Sequence, residues 1–394
     1  MFNYGYRLMR LRDTLTKALD NSHQLARLVE QSQFGSSDYN DRIIKRRWGV
    51  GDAAKLVGVS RTAIDNAEKD GRLKPPECGE NGRRIGYSIY QINEMREVFN
   101  SYPHREEGDE PLVISVCGHK GGSWKTSVAV HKAQWLALQG YRVLLVDHDP
   151  QGTTSLYHGY TPMRVSDDKT LLPFYLGDEV DLSYAIENTY WPGLDLIASN
   201  PSVDRVKIEL PKLAEKNELG IEPHLMLHAG LETVKDNYDF VIIDGAPDLS
   251  DITINMVFAA DLILCPTPAI YADYISTSQF FNMLLAMIEN IDDRGFEPEL
   301  KVLITHFDNG AHRQAALMEN YIRQTWAGMV FNHNIRKTEE VPKAQLKQRT
   351  VFEQASSERS NHGAYKNALA IFEPAFIEIL DNLTLNRWPS RGES

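Results

Sequence analysis

Cysteine is nearly missing from this chain: Cys78, Cys117 and Cys265 are all there is in 394 residues. Three scattered thiols exclude a disulfide framework or a cysteine-held metal or cluster, and they point to a reducing compartment. No run of 18 apolar residues occurs, and the segment Met1 to Gln31 is studded with charge. Neither a membrane span nor a secretory signal is therefore expected, and a cytoplasmic location is. Positive charge is short as well: 42 Lys and Arg stand against 54 Asp and Glu, a net charge of −12. The deficit is uneven. Residues 1–107 hold 18 basic and 15 acidic side chains, and the remainder holds 24 and 39. A body that acidic repels polyanions as a whole, so contact with nucleic acid has to come from local basic patches. The length predicts two or three domains.

One further absence is a single glycine. Leu112 to Val116 is a short β-branched run that reads as a buried strand. A loop from Gly118 to Trp124 follows, and Lys125-Thr126-Ser127 opens a helix that stops at Gly140. Strand, Gly-rich turn and helix N-terminus make a phosphate cradle, where backbone N–H groups and the helix dipole favour an anion. Lys125 would place a charge on the terminal phosphates, and Thr126 a hydroxyl on Mg²⁺. The usual phosphate loop has Gly just before its Lys-Thr pair; here that position is Trp124. What remains is Lys120-Gly121-Gly122-Ser123-Trp124-Lys125-Thr126, with a second lysine ahead of the first. Taken alone, this is also compatible with a chance Gly-Gly turn.

Two later stretches bear on that choice. Val143 to Val146 reads as a parallel strand with Asp147-His-Asp149-Pro-Gln at its carboxyl end, where open α/β sheets bind ligands. Such carboxylates can orient a water beside a Mg²⁺–phosphate site, or merely cap the next helix. Phe240 to Ile243 followed by Asp244 has the Walker B shape, an apolar strand ending in an aspartate that can hold Mg²⁺ through water. Asp261–Pro268 and Lys301–Phe307 read as two more strands. Leu171–Leu176, Leu194–Ala198 and His224–His228 read as helix, strand and helix. His224 and His228 would share a helix face, but no third metal ligand accompanies them, so packing is the plainer role.

The first hundred residues read differently. Residues 7–29 form an amphipathic pattern, with Leu8, Leu11, Leu15, Leu19, Leu25 and Leu28 as its stripe. That stripe serves either its own domain or a homodimer. Gly51–Val57, a turn at Gly58 and a helix capped by Ser60 have the spacing of a helix-turn-helix. The second helix offers Arg61, Thr62 and Asn66 outward; Arg83 and Arg84 lie on a predicted wing strand, and Ser88 and Gln91 form a capping box. A basic helical hairpin is the plain alternative. Ser101 to Glu110 reads as a linker. Far along the chain, Arg336, Lys337, Lys343, Lys347 and Arg349 make a basic run in the acidic body, either a DNA contact or a solvated helix face. The last predicted helix, Ala364 to Leu383, lacks the basic polar face of a membrane helix and should pack on the domain.

The loop with its extra lysine, the Asp-x-Asp-Pro-Gln box and the Walker B strand, in this order, resemble the deviant Walker A ATPases of the ParA/MinD superfamily. With the helical and winged segments in front, nearly the whole chain resembles the type Ia plasmid partition proteins, closest to the F-plasmid type. The fold implied is α/β: a doubly wound, mostly parallel P-loop ATPase domain over 111–394. It is preceded by a probable dimerisation helix (1–40), a winged helix-turn-helix domain (41–100) and the linker (101–110). By that resemblance Lys120 reaches across a dimer to the partner's phosphates, Asp149 positions the attacking water and Asp147 supports the metal shell. The nucleotide-binding set is Lys120, Gly121, Gly122, Ser123, Trp124, Lys125, Thr126 and Ser127, and the metal set Thr126, Asp147 and Asp244. The resemblance further implies weak, partner-stimulated ATP hydrolysis with Mg²⁺, ADP as product, and a homodimer, with higher assemblies on DNA left open. A ParB-type centromere-binding partner, operator and non-specific DNA, nucleoid association, no membrane, and autorepression of the operon complete the expectation. Two other classes stay in view. One is a nucleotide-responsive repressor without a motor-like ATPase cycle. The other is a metal-cluster carrier, against which the isolated cysteines count.

Overall fold

The computed structural model describes residues 12–18, 20, 21, 24, 42–248, 250–289, 291, 297–307, 313–355 and 362–392. Residues 1–43 and 44–394 form two separate compact units. In the first, residues 12–18 are helical and exposed, including Leu15; the other five leucines of the predicted stripe lie outside the described residues.

The second unit begins with a helical head. Helix α1 (Val50–Val57) ends on Gly58, whose φ of 76° suits a residue without a side chain. Helix α2 (Arg61–Lys69) starts on Ser60, whose Oγ accepts from Ala63 N at 3.1 Å. Ile64 and Ala67 on its inner face are fully buried. Helix α3 (Ile89–Phe99) opens with the full capping box between Ser88 and Gln91. The predicted wing strand is reduced to two isolated antiparallel bridges, Trp48 with Tyr87 and Cys78 with Arg84. Gly82 (φ 70°) and Gly86 (φ 94°) interrupt the extended backbone on either side of the arginines.

The body is built on a sheet of seven strands: β1 (Leu112–Val116), β2 (Val143–His148), β3 (Glu187–Asn188), β4 (Leu194–Ile197), β5 (Phe240–Gly245), β6 (Leu262–Pro268) and β7 (Glu299–Thr305). Their order is β3-β4-β2-β5-β1-β6-β7, parallel throughout except for β3 against β4. Between them run α4 (Lys125–Gln139), α5 (Thr153–Tyr157), α6 (Leu172–Leu176), α7 (Val206–Glu215), α8 (Met226–Glu232), α9 (Asp251–Phe258) and α10 (Tyr271–Ile288). After β7 come α11 (Arg313–Thr325), α12 (Glu340–Gln345), α13 (His362–Arg387) and α14 (Pro389–Gly392). Strands buried on both faces are mostly apolar, and period two divides their side chains between two layers. Leu112, Ile114, Val143, Leu145, Phe240 and Ile242 face a layer with α4 and α13. Val113, Leu144, Val146, Val241 and Ile243 face the layer built by α6 to α11. The head's core is continuous with the first layer.

The segment 101–110 is strapped to the body. His104 Nδ1 lies 2.9 Å from Asp239 Oδ2, Arg105 donates to Tyr238 O and Asp236 O, and Trp388 Nε1 donates to Glu110 O. Asp109 in turn accepts from Ser390 N at 3.1 Å. Burial raises Asp239, but hydrogen bonds from His104 and Arg142 outweigh it and hold the carboxyl well below its ordinary range. Helix α13 extends beyond both predicted ends and buries Phe372, Phe376, Ile379 and Leu383.

Candidate active site: a phosphate loop facing carboxylates

Strand β1 ends in the centre of the sheet, and the chain crosses to α4 through residues 117–124. Gly122 takes a φ of 80°, and Trp124, at the N-cap of α4, takes 73°. A left-handed backbone costs a non-glycine residue about 1–2 kcal/mol. Contacts of the indole offset this: its ring meets His306 edge-on at 4.4 Å and lies parallel to Phe372 at 6.5 Å. No side chain caps the helix, so the first-turn N–H groups of α4 keep no side-chain partner at the N-cap.

The two lysines are placed differently. Lys125 is buried, and its Nζ donates to Lys120 O at 2.9 Å. Burial lowers its pKa, while Asp244, Cys117 and Asp149 pull the other way. Lys120 is far more open, and its Nζ is bound to Asp273 Oδ1 at 3.0 Å in the first turn of α10. Sequence reasoning missed Asp273, which lies too far along the chain for any local pattern to reveal.

Asp147 and Asp244 are direct register neighbours on β2 and β5, and both are fully buried. Asp147 Oδ2 accepts from Ser155 N at 2.7 Å and Ser155 Oγ at 2.6 Å, and its Oδ1 from Asp149 N at 3.3 Å. Its Oδ2 thus anchors the start of α5 and its Oδ1 holds the Asp149 backbone. Asp244 Oδ2 accepts from Thr154 Oγ1 at 2.7 Å, while Oδ1 has no partner. Burial pushes Asp244 up to about 6, against the hydrogen bond from Thr154 and the nearby Thr126 hydroxyl. Asp149 Oδ1 accepts from Gln151 N at 2.9 Å, and burial raises its pKa too. Thr154 and Ser155 were not singled out from sequence, although a hydroxyl run directly after the Asp-x-Asp-Pro-Gln box was the available signal.

Several carboxylates therefore gather around one buried lysine, a deficit of positive charge that a bound cation would relieve. Among the described residues no three His, Cys, Asp or Glu side chains form a metal cage by themselves. That suits Mg²⁺, which takes one or two protein oxygens and completes its shell with phosphates and water. The unpartnered oxygen of Asp244 and the Thr126 hydroxyl are the fitting protein donors.

The other predicted site residues lie apart from this centre. Arg61, Thr62 and Asn66 are exposed on α2, and the Arg61 guanidinium lies so close over Gly51 that a Cβ there would meet it at 2.4 Å. Arg83 is exposed; Arg84 is paired with Glu68 at 2.8 Å. Arg336, Lys337, Lys343 and Lys347 are exposed and Arg349 is half-buried. Lys343 sits on α12, 3.2 Å from Glu340, so part of this basic run is helical. A groove of about 1110 Å³ beside it is lined by Phe307, Arg336, Lys337, Lys343, Asn367 and Ile371. His224 and His228 share no regular helix, because Pro223 opens a 3₁₀ turn over 223–225. His224 packs on Phe258 at 4.7 Å, and His228 lies 3.7 Å from Glu232. Cys117 and Cys265 are buried core residues, the first pushed up to about 12 by burial. No helix among the described residues is long and apolar enough to cross a membrane.

A family model described as an AAA domain matches residues 112–302. Protein SopA of Escherichia coli strain K12 is 47% identical over 388 residues, covering 97% of this chain and 100% of SopA. Among solved structures, one described as a partition protein aligns with a TM-score of 0.66 at 20% identity, over 96% of this chain and 99% of its own. Cobyrinic acid a,c-diamide synthase from Mycobacterium smegmatis, solved with an ATP analog and magnesium, aligns with a TM-score of 0.55 at 22% identity, over 71% of this chain and 97% of its own. These two structural likenesses concern the fold alone.

Proposed function

The chain belongs to the ParA/SopA family of plasmid partition ATPases, and from that premise we propose how its residues divide the work. ATP binds with its phosphates on the 118–126 loop, where Lys125 and the first-turn N–H groups of α4 neutralise and orient them. Thr126 and Asp244 would hold Mg²⁺, which would supply further neutralisation of the transferring phosphate. Asp149 accepts a hydrogen bond from the attacking water and aligns it. Asp147 holds the start of α5 in place and so keeps Asp149 aimed. Lys120 leaves Asp273 when ATP brings two copies together and reaches the partner's phosphates. The observation that carries this reading is the single unpartnered carboxylate oxygen of Asp244 beside Lys125 and Thr126.

The residue sets outside the centre serve DNA. Arg61, Thr62, Asn66, Arg83 and Arg84 read one operator and repress the operon, and the run Arg336 to Arg349 touches phosphates of any duplex in the ATP state. The dimer, assembled through the nucleotide face and the N-terminal helix, associates with the nucleoid. A ParB-type centromere-binding protein stimulates its turnover. The test is ATP turnover measured with bulk DNA and the co-encoded DNA-binding partner, singly and together. Stimulation by both, abolished in Asp149→Ala with ATP binding kept, is expected. A rate that stays flat would favour a nucleotide-responsive repressor instead. For the two DNA modes, a salt titration on operator and random duplex separates the surfaces. Lys343→Ala should lower the log–log salt slope by about one unit on both, whereas Arg61→Ala should relax operator preference only.

A further inference from the structure

The loop leaving β5 runs Ala246-Pro247-Asp248, and a lysine outside it, Lys207, meets Asp248. Asp248 is tied to its own helix start: its Oδ1 accepts from Ser250 Oγ at 3.0 Å and Thr253 Oγ1 at 3.2 Å, and its carbonyl from Thr253 Oγ1 at 2.8 Å. On the other side Asp248 Oδ2 meets Lys207 Nζ at 2.6 Å. The same ammonium meets Asp204 Oδ1, also at 2.6 Å. Lys207 stands in the first turn of α7, and its side chain and that of Asp248 are only 31% and 30% exposed. Isolated surface ion pairs hold little. This ammonium is different, because two carboxylates, Asp204 and Asp248, fix it and it joins α7 to the loop that follows the Asp244 strand. Both charges also act on Asp149, Asp248 as a repelling neighbour and Lys207 as an attracting one.

We infer that Lys207 is a positioning residue for ATP hydrolysis: by holding Asp248 against α7 it fixes the 245–248 loop beside Asp149, where the attacking water must be aligned. The role rests on the ATPase reading above. It concerns turnover and not affinity, because the Lys207 charge acts on Asp149, whereas in the ATPase reading the phosphates are gripped by the loop and Lys125. Misplacement of a reacting group by about 1 Å can slow a reaction about a hundredfold.

The test is a double-mutant cycle in the full-length chain, with ATP binding, kcat and KM measured for each variant. Lys207→Gln should lower kcat about tenfold, leaving ATP affinity and KM within about twofold. Lys207→Arg, which keeps the charge and can still span both carboxylates, should recover most of the rate. Asp248→Asn should also slow turnover, and the double variant should be no slower than Lys207→Gln, since each removes the Lys207–Asp248 pair. Thermal unfolding of each variant reports the fold independently. A wild-type kcat in Lys207→Gln would overturn the proposal. So would multiplicative losses in the double variant, or an arginine variant as slow as the glutamine one. A wild-type protein that binds ATP without turning it over would sink the ATPase reading and this role with it, and is told apart by the wild-type rate alone.

Discussion

At its N-terminal end α4 begins on Trp124, with a left-handed backbone and no capping side chain; at its C-terminal end Gly140 and Arg96 donate to its last-turn carbonyls. Gly140 (φ 104°) turns its N–H back to Ala137 O and Leu136 O. The Arg96 guanidinium, fully buried and reaching in from α3, donates to Leu138 O at 2.6 Å, Leu56 O at 3.1 Å and Asn93 Oδ1 at 2.7 Å. One side chain thus satisfies last-turn carbonyls of α4 in the body and α1 in the head, and its charge complements both helix dipoles. Burial pushes it down to about 10, still charged at neutral pH. The difference is instructive. Donors at one end of the helix have no side-chain cap, whereas acceptors at the other meet protein donors, so on the proposed reading phosphates would arrive on a helix already fastened to the head.

Breaking the filled end should cost the most. Arg96→Leu leaves buried carbonyls without donors and should destabilise the protein by about 3 kcal/mol, read by denaturant unfolding. A change below about 1 kcal/mol would mean that the guanidinium is dispensable there. Gly140→Ala tests the same joint from below: a Cβ would sit 2.8 Å from Arg96 Nε, on a backbone that disfavours it. A loss of about 2 kcal/mol is expected in the same assay.

The open end should behave in the opposite way, gaining stability when its function is removed. Asp244 ionises against a folded-state pKa of about 6, above its unfolded value. A raised carboxyl pKa means that the folded state binds the extra proton, and this contribution is lost as pH rises through about 6. Asp244→Asn should therefore stabilise the nucleotide-free protein by about 2 kcal/mol at pH 8, with the gain fading below pH 4. Thermal unfolding against pH reads this directly, and a variant less stable than wild type at pH 8 would reverse the assignment. The smallest effect belongs to Trp124→Gly. Relief of the left-handed backbone and loss of the ring contacts nearly cancel, so unfolding should shift by less than about 1 kcal/mol. A loss as large as that of Arg96→Leu would mean that the loop end is as tightly built as the other.

What was legible in the sequence follows the range of the signal. Strands of four to seven apolar residues announce a buried parallel sheet, and Gly58, Ser60 and the Ser88–Gln91 box mark helix ends within three residues of themselves. Lys125, Thr126, Asp149 and Asp244 are legible because each stands at a strand end or helix start that local pattern defines. Arg96, Asp273 and Lys207 are not. The partners that define them lie 40 to 153 residues away, and only the fold brings Leu56 and Leu138, Lys120, or Asp248 to them. The same holds for the 101–110 strap, whose charge and proline read as a linker while Asp239 and Ser390 stayed out of sight. The wing strand failed for a local reason: basic residues suggested a strand, and the flanking glycines broke it.

The claim on which the rest depends is that the open end of α4 receives the phosphates of ATP, and calorimetric titration of Mg·ATP into wild type and Lys125→Ala tests it most directly. With Lys125 the one buried cation at the loop, the account predicts saturable one-site binding to the wild type and at least a hundredfold weaker binding to the variant, about 2.7 kcal/mol or more. Equal affinity in the two proteins would contradict it.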